Sequence, residues 1–254
     1  MTETQYGRIK AEERPKLPDV DLVLVPHGSE DLLVARFGPK TYTGNRTDMA
    51  RKYWNSQQRP DISFRPATTA ESVSASAYDF TNIAKPEIFD PRWLQAGYVV
   101  RTSEGVFANP PLDGQGKPIM DEKELKKLLN RAEPIKLNGD HSLYIIDNSK
   151  TLRDFGFAEY DTFQRDVQDA NTFVNGGLAR LLEHTQEPAK VLAGISDKKN
   201  YPKGVNVWEF GPVESPVLRV AELLSHWCSD GDLLYVYGSS WDDGNDGCAF
   251  GVLK

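Results

Sequence analysis

The sequence predicts an α+β fold, in which a mixed or largely antiparallel sheet built from hairpins carries three or more packed helices. Three observations lead there. Paired β-rich runs flank short turn segments near both ends of the chain, and runs with helical periodicity alternate with single strand-like runs in its second half. The third is the length of 254 residues with eleven Phe, ten Tyr and five Trp, enough to bury one substantial core.

Residues 1–18 are polar and broken by Pro15 and Pro18, so they read as an N-terminal arm. Residues 19–254 read as a single domain, with the Pro/Gly-rich loop at 109–118 as its one weak boundary. The runs "VDLVLV" and "DLLVARF" around "PHGSE" form the first expected hairpin. A short helix is expected over "TDMARKYWNSQQ", capped by Thr47 and ended by Pro60, followed by the strand "ISFRP". "TTAESVSASAYDF" is expected to be helical because Thr68 and Glu71 have capping-box spacing. "PRWLQ" reads as one helical turn, and "AGYVVRT" and "GVFANP" as a second hairpin across "SEG".

"MDEKELKKLLNRA" repeats the capping-box pattern at Asp121 and Glu124, with Leu125, Leu128 and Leu129 as its apolar face. "HSLYIID" is a strand. The longest helix is expected over "YDTFQRDVQDANTFVNGGLARLLEHT", where Phe163, Val167, Ala170, Val174, Leu178 and Leu181 make one stripe. Gly176 and Gly177 interrupt it at a cost of about 1 kcal/mol each relative to Ala, which implies a close packing approach, a kink, or two helices end to end. "KVLAGIS" and "VNVWEF" read as strands. "SPVLRVAELLSHWC" reads as a helix started by Ser215 and Pro216, and "DLLYVYGS" and "CAFGVLK" as a final hairpin.

Charge is unevenly distributed. Residues 1–65 hold eleven of the 30 Lys/Arg and nine of the 37 Asp/Glu, leaving 19 basic and 28 acidic residues in the remainder. An acidic body repels phosphates at long range, so any nucleic-acid contact belongs in the N-terminal quarter. The start of the chain has no apolar signal-like run, and the longest apolar runs are too short to span a bilayer. With only Cys228 and Cys248, no disulfide scaffold is expected, and a cytoplasmic location without membrane contact is the simplest expectation.

Few residues point to chemistry. Gly114, Gly116 and Lys117 loosely follow a phosphate-binding loop, but Pro118 stands where Ser or Thr would hold magnesium. His27, Ser29 and Asp31 crowd one turn, whereas triad members converge from separate segments. His226, Cys228 and Cys248 fail as zinc ligands because residues two apart on a helix diverge. Asp166 and Asp169, on the expected long helix, read as its solvated flank.

The strongest binding segment is "GNRTDMARKYWNSQQRPDISFR". Arg46, Arg51, Lys52, Arg59 and Arg65 surround Tyr53 and Trp54, and cations with interleaved aromatics suit single-stranded nucleic acid or a protein hot spot. The function expected from this is a non-catalytic binding or assembly protein that contacts a protein or single-stranded nucleic-acid partner. The alternative is a divalent-metal-dependent hydrolase with Asp140 and His141 as ligands, joined by Asp242, Asp243 and Asp246 of the terminal "WDDGNDG". In that stretch Gly244 and Leu253 break an EF-hand pattern, and two Asp-Gly pairs fit a turn. No cofactor is predicted; a divalent cation is the one compatible with these carboxylates.

Overall fold

The computed structural model describes residues 22–35, 63–82, 92–130, 132–137, 142–146, 155–183, 190–191, 204–225, 233–240 and 250–253. Within them lie thirteen strands and four α-helices, none longer than 14 residues. The fold is therefore sheet-dominated and mostly β, which corrects the expected α+β class with three or more packed helices.

Strands β1 (Leu22–His27) and β2 (Glu30–Ala35) form the first hairpin, with Gly28 at φ 60° in its turn. A left-handed φ is costly for a residue with a Cβ, so glycine suits that position. Strand β3 (Phe64–Pro66) leads into helix α1 (Thr69–Asn82). The Thr68 backbone N–H donates to Glu71 Oε2 at 2.7 Å and the Glu71 N–H donates to Thr68 Oγ1 at 3.2 Å, a reciprocal capping box. Strand β13 (Gly251–Leu253) lies between β2 and β3, antiparallel to both, and gives a four-stranded sheet in the order β1-β2-β13-β3. The expected terminal hairpin is thus replaced by pairing with the N-terminal strands.

The second sheet has nine strands. It contains β4 (Arg92–Arg101), β5 (Gly105–Ala108), β6 (Pro134–Lys136), β7 (Ser142–Ile146) and β8 (Phe155–Glu159). It is completed by β9 (Asp166–Gln168), β10 (Gly204–Trp208), β11 (Val217–Ser225) and β12 (Leu233–Ser240). Their order is β6-β7-β8-β5-β4-β11-β12-β10-β9, antiparallel throughout except for the parallel β10/β12 pair. The helix expected over 215–228 is instead strand β11 at Val217–Ser225, in the middle of this sheet, and 226–228 lie outside the described residues. Its β-branched and leucine-rich run gains two backbone ladders, with β4 and β12, and these outweigh the local Ser-Pro start signal. The expected turn at "PRWLQ" is likewise the first half of β4.

The long helix expected from residue 160 is shorter and broken. Tyr160–Thr162 is a single 3-10 turn, β9 follows, and only then come α3 (Ala170–Asn175) and α4 (Gly177–Glu183). Gly176, at φ −75° and ψ 147°, is extended and separates the two helices. A Cβ on Gly177 would collide with the Thr162 side chain, so the glycine lets α4 pass close over the 3-10 turn. Val167, part of the expected stripe, is 44% exposed.

The nine-stranded sheet is covered on both faces. One face buries Val99, Val106, Ala158 and Val207 against Phe173, Leu178 and Leu182 of α3 and α4 and against Val73 of α1. The other buries Val100, Phe107, Phe155 and Phe157 against Leu125 and Leu129 of α2 (Glu122–Leu129), whose Asp121 cap accepts the Glu124 N–H at 2.8 Å. Leu128 of the expected apolar face is 38% exposed instead. On the small sheet, Val25, Val34, Phe250 and Val252 pack on Ala67 and Ala75, so α1 contributes to both cores. No helix among the described residues is long and apolar enough to cross a membrane.

Candidate recognition site

The segment Tyr160–Arg165 separates two polar surfaces. On one side lies an open groove of about 500 Å³, lined by Asp161, Thr162, Gln164, Asn171, Thr172 and Asn175 together with Phe163 and Gly176. Internal hydrogen bonds fix much of this lining. Thr162 Oγ1 donates to the Glu159 carbonyl at 2.6 Å, Gln164 Nε2 donates to the Val167 carbonyl at 3.2 Å, and Asn175 Nδ2 donates to the Asn171 carbonyl at 2.9 Å. Asp169 caps α3, accepting the Thr172 N–H at 3.0 Å and the Thr172 hydroxyl at 2.8 Å; these two donors hold its carboxyl below the usual carboxylate range. Asp169 therefore ends a strand–helix connection, and Asp166 lies in β9 at φ 67°, so the two do not form the flank of one helix.

On the other side of the segment, the chain leaving β10, residues 209–213, forms a strap beside the turn of the β4–β5 hairpin. Val213 N–H donates to the Thr102 carbonyl at 3.1 Å. The Tyr160 hydroxyl shares its proton between the carbonyls of Thr102, at 3.1 Å, and Gly211, at 2.8 Å. Burial raises the Tyr160 phenol above its ordinary value, against the opposing pull of the Arg101 and Arg165 guanidiniums. Arg101 Nε donates to the Gly211 carbonyl at 3.2 Å, and Arg101 is only 8% exposed.

Three guanidiniums gather here. Arg101 and Arg219 share a sheet face, because Val217 pairs with Arg101 and Arg219 with Val99 across β4 and β11. The Arg165 guanidinium lies 5.8 Å from the Tyr160 ring centroid, and a Cβ on Gly211 would be 3.3 Å from one of its terminal nitrogens. Burial, followed by the neighbouring Arg101 charge, lowers the Arg219 pKa from its ordinary value. Glu209 lies 3.9 Å from Arg101, with its side chain 42% exposed. Its φ of 62° is left-handed, which costs roughly 1–2 kcal/mol for a residue with a Cβ.

Of the residues singled out from sequence, Arg65 is described. It lies in β3 opposite Val252, and its two terminal nitrogens donate to the Glu71 carboxylate at 2.6 and 2.5 Å. Burial alone would raise the Glu71 carboxyl, but Arg65 and the Thr68 N–H outweigh it and hold it below the usual range. Arg46, Arg51, Lys52, Tyr53, Trp54 and Arg59 lie outside the described residues, as do Asp140, His141, Asp242, Asp243 and Asp246. Among the described residues, no group of three or more His, Cys, Asp or Glu is placed to hold a metal. His27 Nδ1 is 2.9 Å from the Ser74 hydroxyl of α1, which fastens the first hairpin to that helix. In the 112–118 loop, Asp113 Oδ1 accepts the backbone N–H groups of Gln115 at 2.8 Å and Lys117 at 2.9 Å. Those amides are engaged by a carboxylate, which leaves them unavailable to a phosphate.

Sequence reasoning missed Arg101, Arg165, Arg219, Tyr160 and Glu209. The signal for two of them was present, since Arg101 closes "YVVR" and Arg219 interrupts "VLRVA", each a lone cation in an apolar run.

No family model and no curated protein matches the chain. A solved structure described as "Accommodation of massive sequence variation in Nanoarchaeota by the C-type lectin fold" is similar to 85% of this chain and 97% of its own, at 12% identity and a TM-score of 0.49. At that level the likeness carries no functional argument for this chain.

Proposed function

We propose that this protein is a non-catalytic binding or assembly protein that takes a protein partner at the groove beside the 160–165 turn. The chemistry of the groove lining supports this reading. Its polar side chains are amides and hydroxyls with one carboxylate, Asp161, beside the Phe163 ring, and amides and hydroxyls donate and accept hydrogen bonds without changing protonation near neutral pH. Because several are already fixed by bonds within the turn and α3, ordering them on binding costs little entropy.

The basic-aromatic residues Arg46, Arg51, Lys52, Tyr53, Trp54 and Arg59 supply a second contact surface in this proposal. They precede β3, an edge of the four-stranded sheet as described. Arg65, held by Glu71, anchors the end of that segment.

The test is quantitative partner recovery with the full chain, comparing wild type, Asn171→Ala/Asn175→Ala and Arg51→Glu/Lys52→Glu. Loss of one specific protein from either variant, with unchanged thermal unfolding, is expected. Equal recovery by all three proteins would overturn the proposal. A fluorescently labelled single-stranded oligonucleotide, titrated in parallel, separates the nucleic-acid alternative: saturable binding that is weakened only by Arg51→Glu/Lys52→Glu would replace the protein partner with nucleic acid.

A further inference from the structure

We propose that Asn206, Trp208, Val167 and Tyr235 form a binding site for an uncharged planar heterocycle that carries a ring N–H beside a carbonyl, a lactam or cyclic imide. The site shares no residue with the groove lining and does not rest on the reading of that groove.

The sheet register brings the four side chains together. Asn206 pairs with Val167 of β9 on one side and with Tyr235 of β12 on the other, so the three lie side by side on one face. Trp208 follows Asn206 on that face, two residues along β10. The alternate residues Val205, Val207 and Val236 enter the core beneath α3 and α4 on the opposite face. Asn206 is 5% exposed, and its Oδ1 has no hydrogen-bond partner. Asn is disfavoured in strands and a buried acceptor without a donor is costly, so Asn206 does not serve the sheet. Its neighbours point to a ligand's donor: Trp208 and Val167, each 44% exposed, offer apolar surface that a water molecule would leave uncovered.

Side chains on a sheet face stand roughly perpendicular to it, and residues two apart on a strand are about 6.7 Å apart. A flat ring standing over the short Asn206 side chain therefore meets the Trp208 indole with one face and the amide with one edge. On that edge the ring N–H donates to Oδ1, and the adjacent ring carbonyl accepts from Nδ2. None of the four side chains carries a formal charge, which suits an uncharged ring. Left-handed backbone at Asp166, φ 67°, and Glu209, φ 62°, brackets the site next to Val167 and Trp208, and such strain gathers at binding sites.

The experiment titrates the full chain with uracil, with N,N′-dimethyluracil, which keeps the ring and lacks both N–H donors, and with methyl glucoside. Binding is followed through the Asn206 side-chain amide and Trp208 indole N–H resonances. Uracil is expected to give saturable shifts at both, with dimethyluracil about tenfold weaker, and Trp208→Ala should weaken uracil about tenfold. Asn206→Leu should bind uracil and dimethyluracil equally while its thermal unfolding is unchanged or raised, because the change removes an unsatisfied acceptor. A merely structural Asn206 would lower it. Equal binding of uracil and dimethyluracil by the wild type, no saturable shift with uracil, or saturable shifts with methyl glucoside alone would overturn the proposal.

Discussion

Two arginine sites in this molecule follow opposite designs. At the corner of α1, Arg65 meets Glu71 with both terminal nitrogens at 2.6 and 2.5 Å, and Glu71 is 6% exposed. At the strap, Arg101 stands 3.9 Å from Glu209, and Arg165 and Arg219 add two more cations. In the first site every formal charge has its counterpart and the carboxylate also caps a helix. In the second, Arg101 is held by the Gly211 carbonyl, and Glu209 stands beyond hydrogen-bond distance. The difference teaches that an arginine can be held in this fold either by a bidentate carboxylate, as Arg65 is by Glu71, or by a backbone carbonyl, as Arg101 is by Gly211.

Deleting the acid at each site is the sharpest way to break the comparison. Glu71→Ala removes the bidentate partner and the capping-box acceptor together, and about 3 kcal/mol of stability is expected to be lost in urea unfolding. An effect below about 1 kcal/mol would place the corner in the same class as the strap.

The next largest effect is in pH. The Glu71 carboxyl is held below its ordinary value of 4.5, so its contribution to stability is complete above that value and is lost as pH falls through the folded-state value beneath it. Wild type should therefore lose its advantage over Glu71→Gln below about pH 4.5, measured by unfolding across pH 2–6.

Arg101→Ala should cost about 1.5 kcal/mol, from the lost bond to the Gly211 carbonyl and the buried stem, read as a shift of the urea midpoint. The smallest effect is expected from Glu209→Ala, within about 0.5 kcal/mol of wild type, because an exposed acid at 3.9 Å contributes little. A loss of more than 1 kcal/mol there would mean that Glu209 is already the partner the cluster requires.

What could be read from the sequence divides by range. The Thr68/Glu71 capping box and the Asp121 N-cap are local, and both are present. The hairpin turns at Gly28 and at Thr102–Glu104 are local as well. Residues 217–225 carry a sound helix-start signal, yet they become the centre of a sheet because β4, far away in sequence, offers them a ladder that no local pattern records. The helical period from Phe163 to Leu181 is real only from Ala170 onward; before it, Val205 and Val207 recruit Gln168 and Asp166 as a strand. The recognition surfaces were harder still. Tyr160, Arg165 and Glu209 come from a turn and strand ends, and only the crossing of the 209–213 chain over β4 brings them to Arg101. Of the binding residues named from the sequence, Arg65 lies among the described ones, where it pairs with Glu71.

The pairing of β13 between β2 and β3 has a consequence for synthesis. Val34 and Arg65 both align with Val252, so two strands made early have their shared neighbour supplied only after residues 251–253 emerge from the ribosome. During translation the β1–β2 hairpin and β3 lack the strand that joins them, and their edges stay open for the whole interval. The small sheet is in effect a timer that records completion of the strands between, and a chain halted before residue 251 would be marked by those edges.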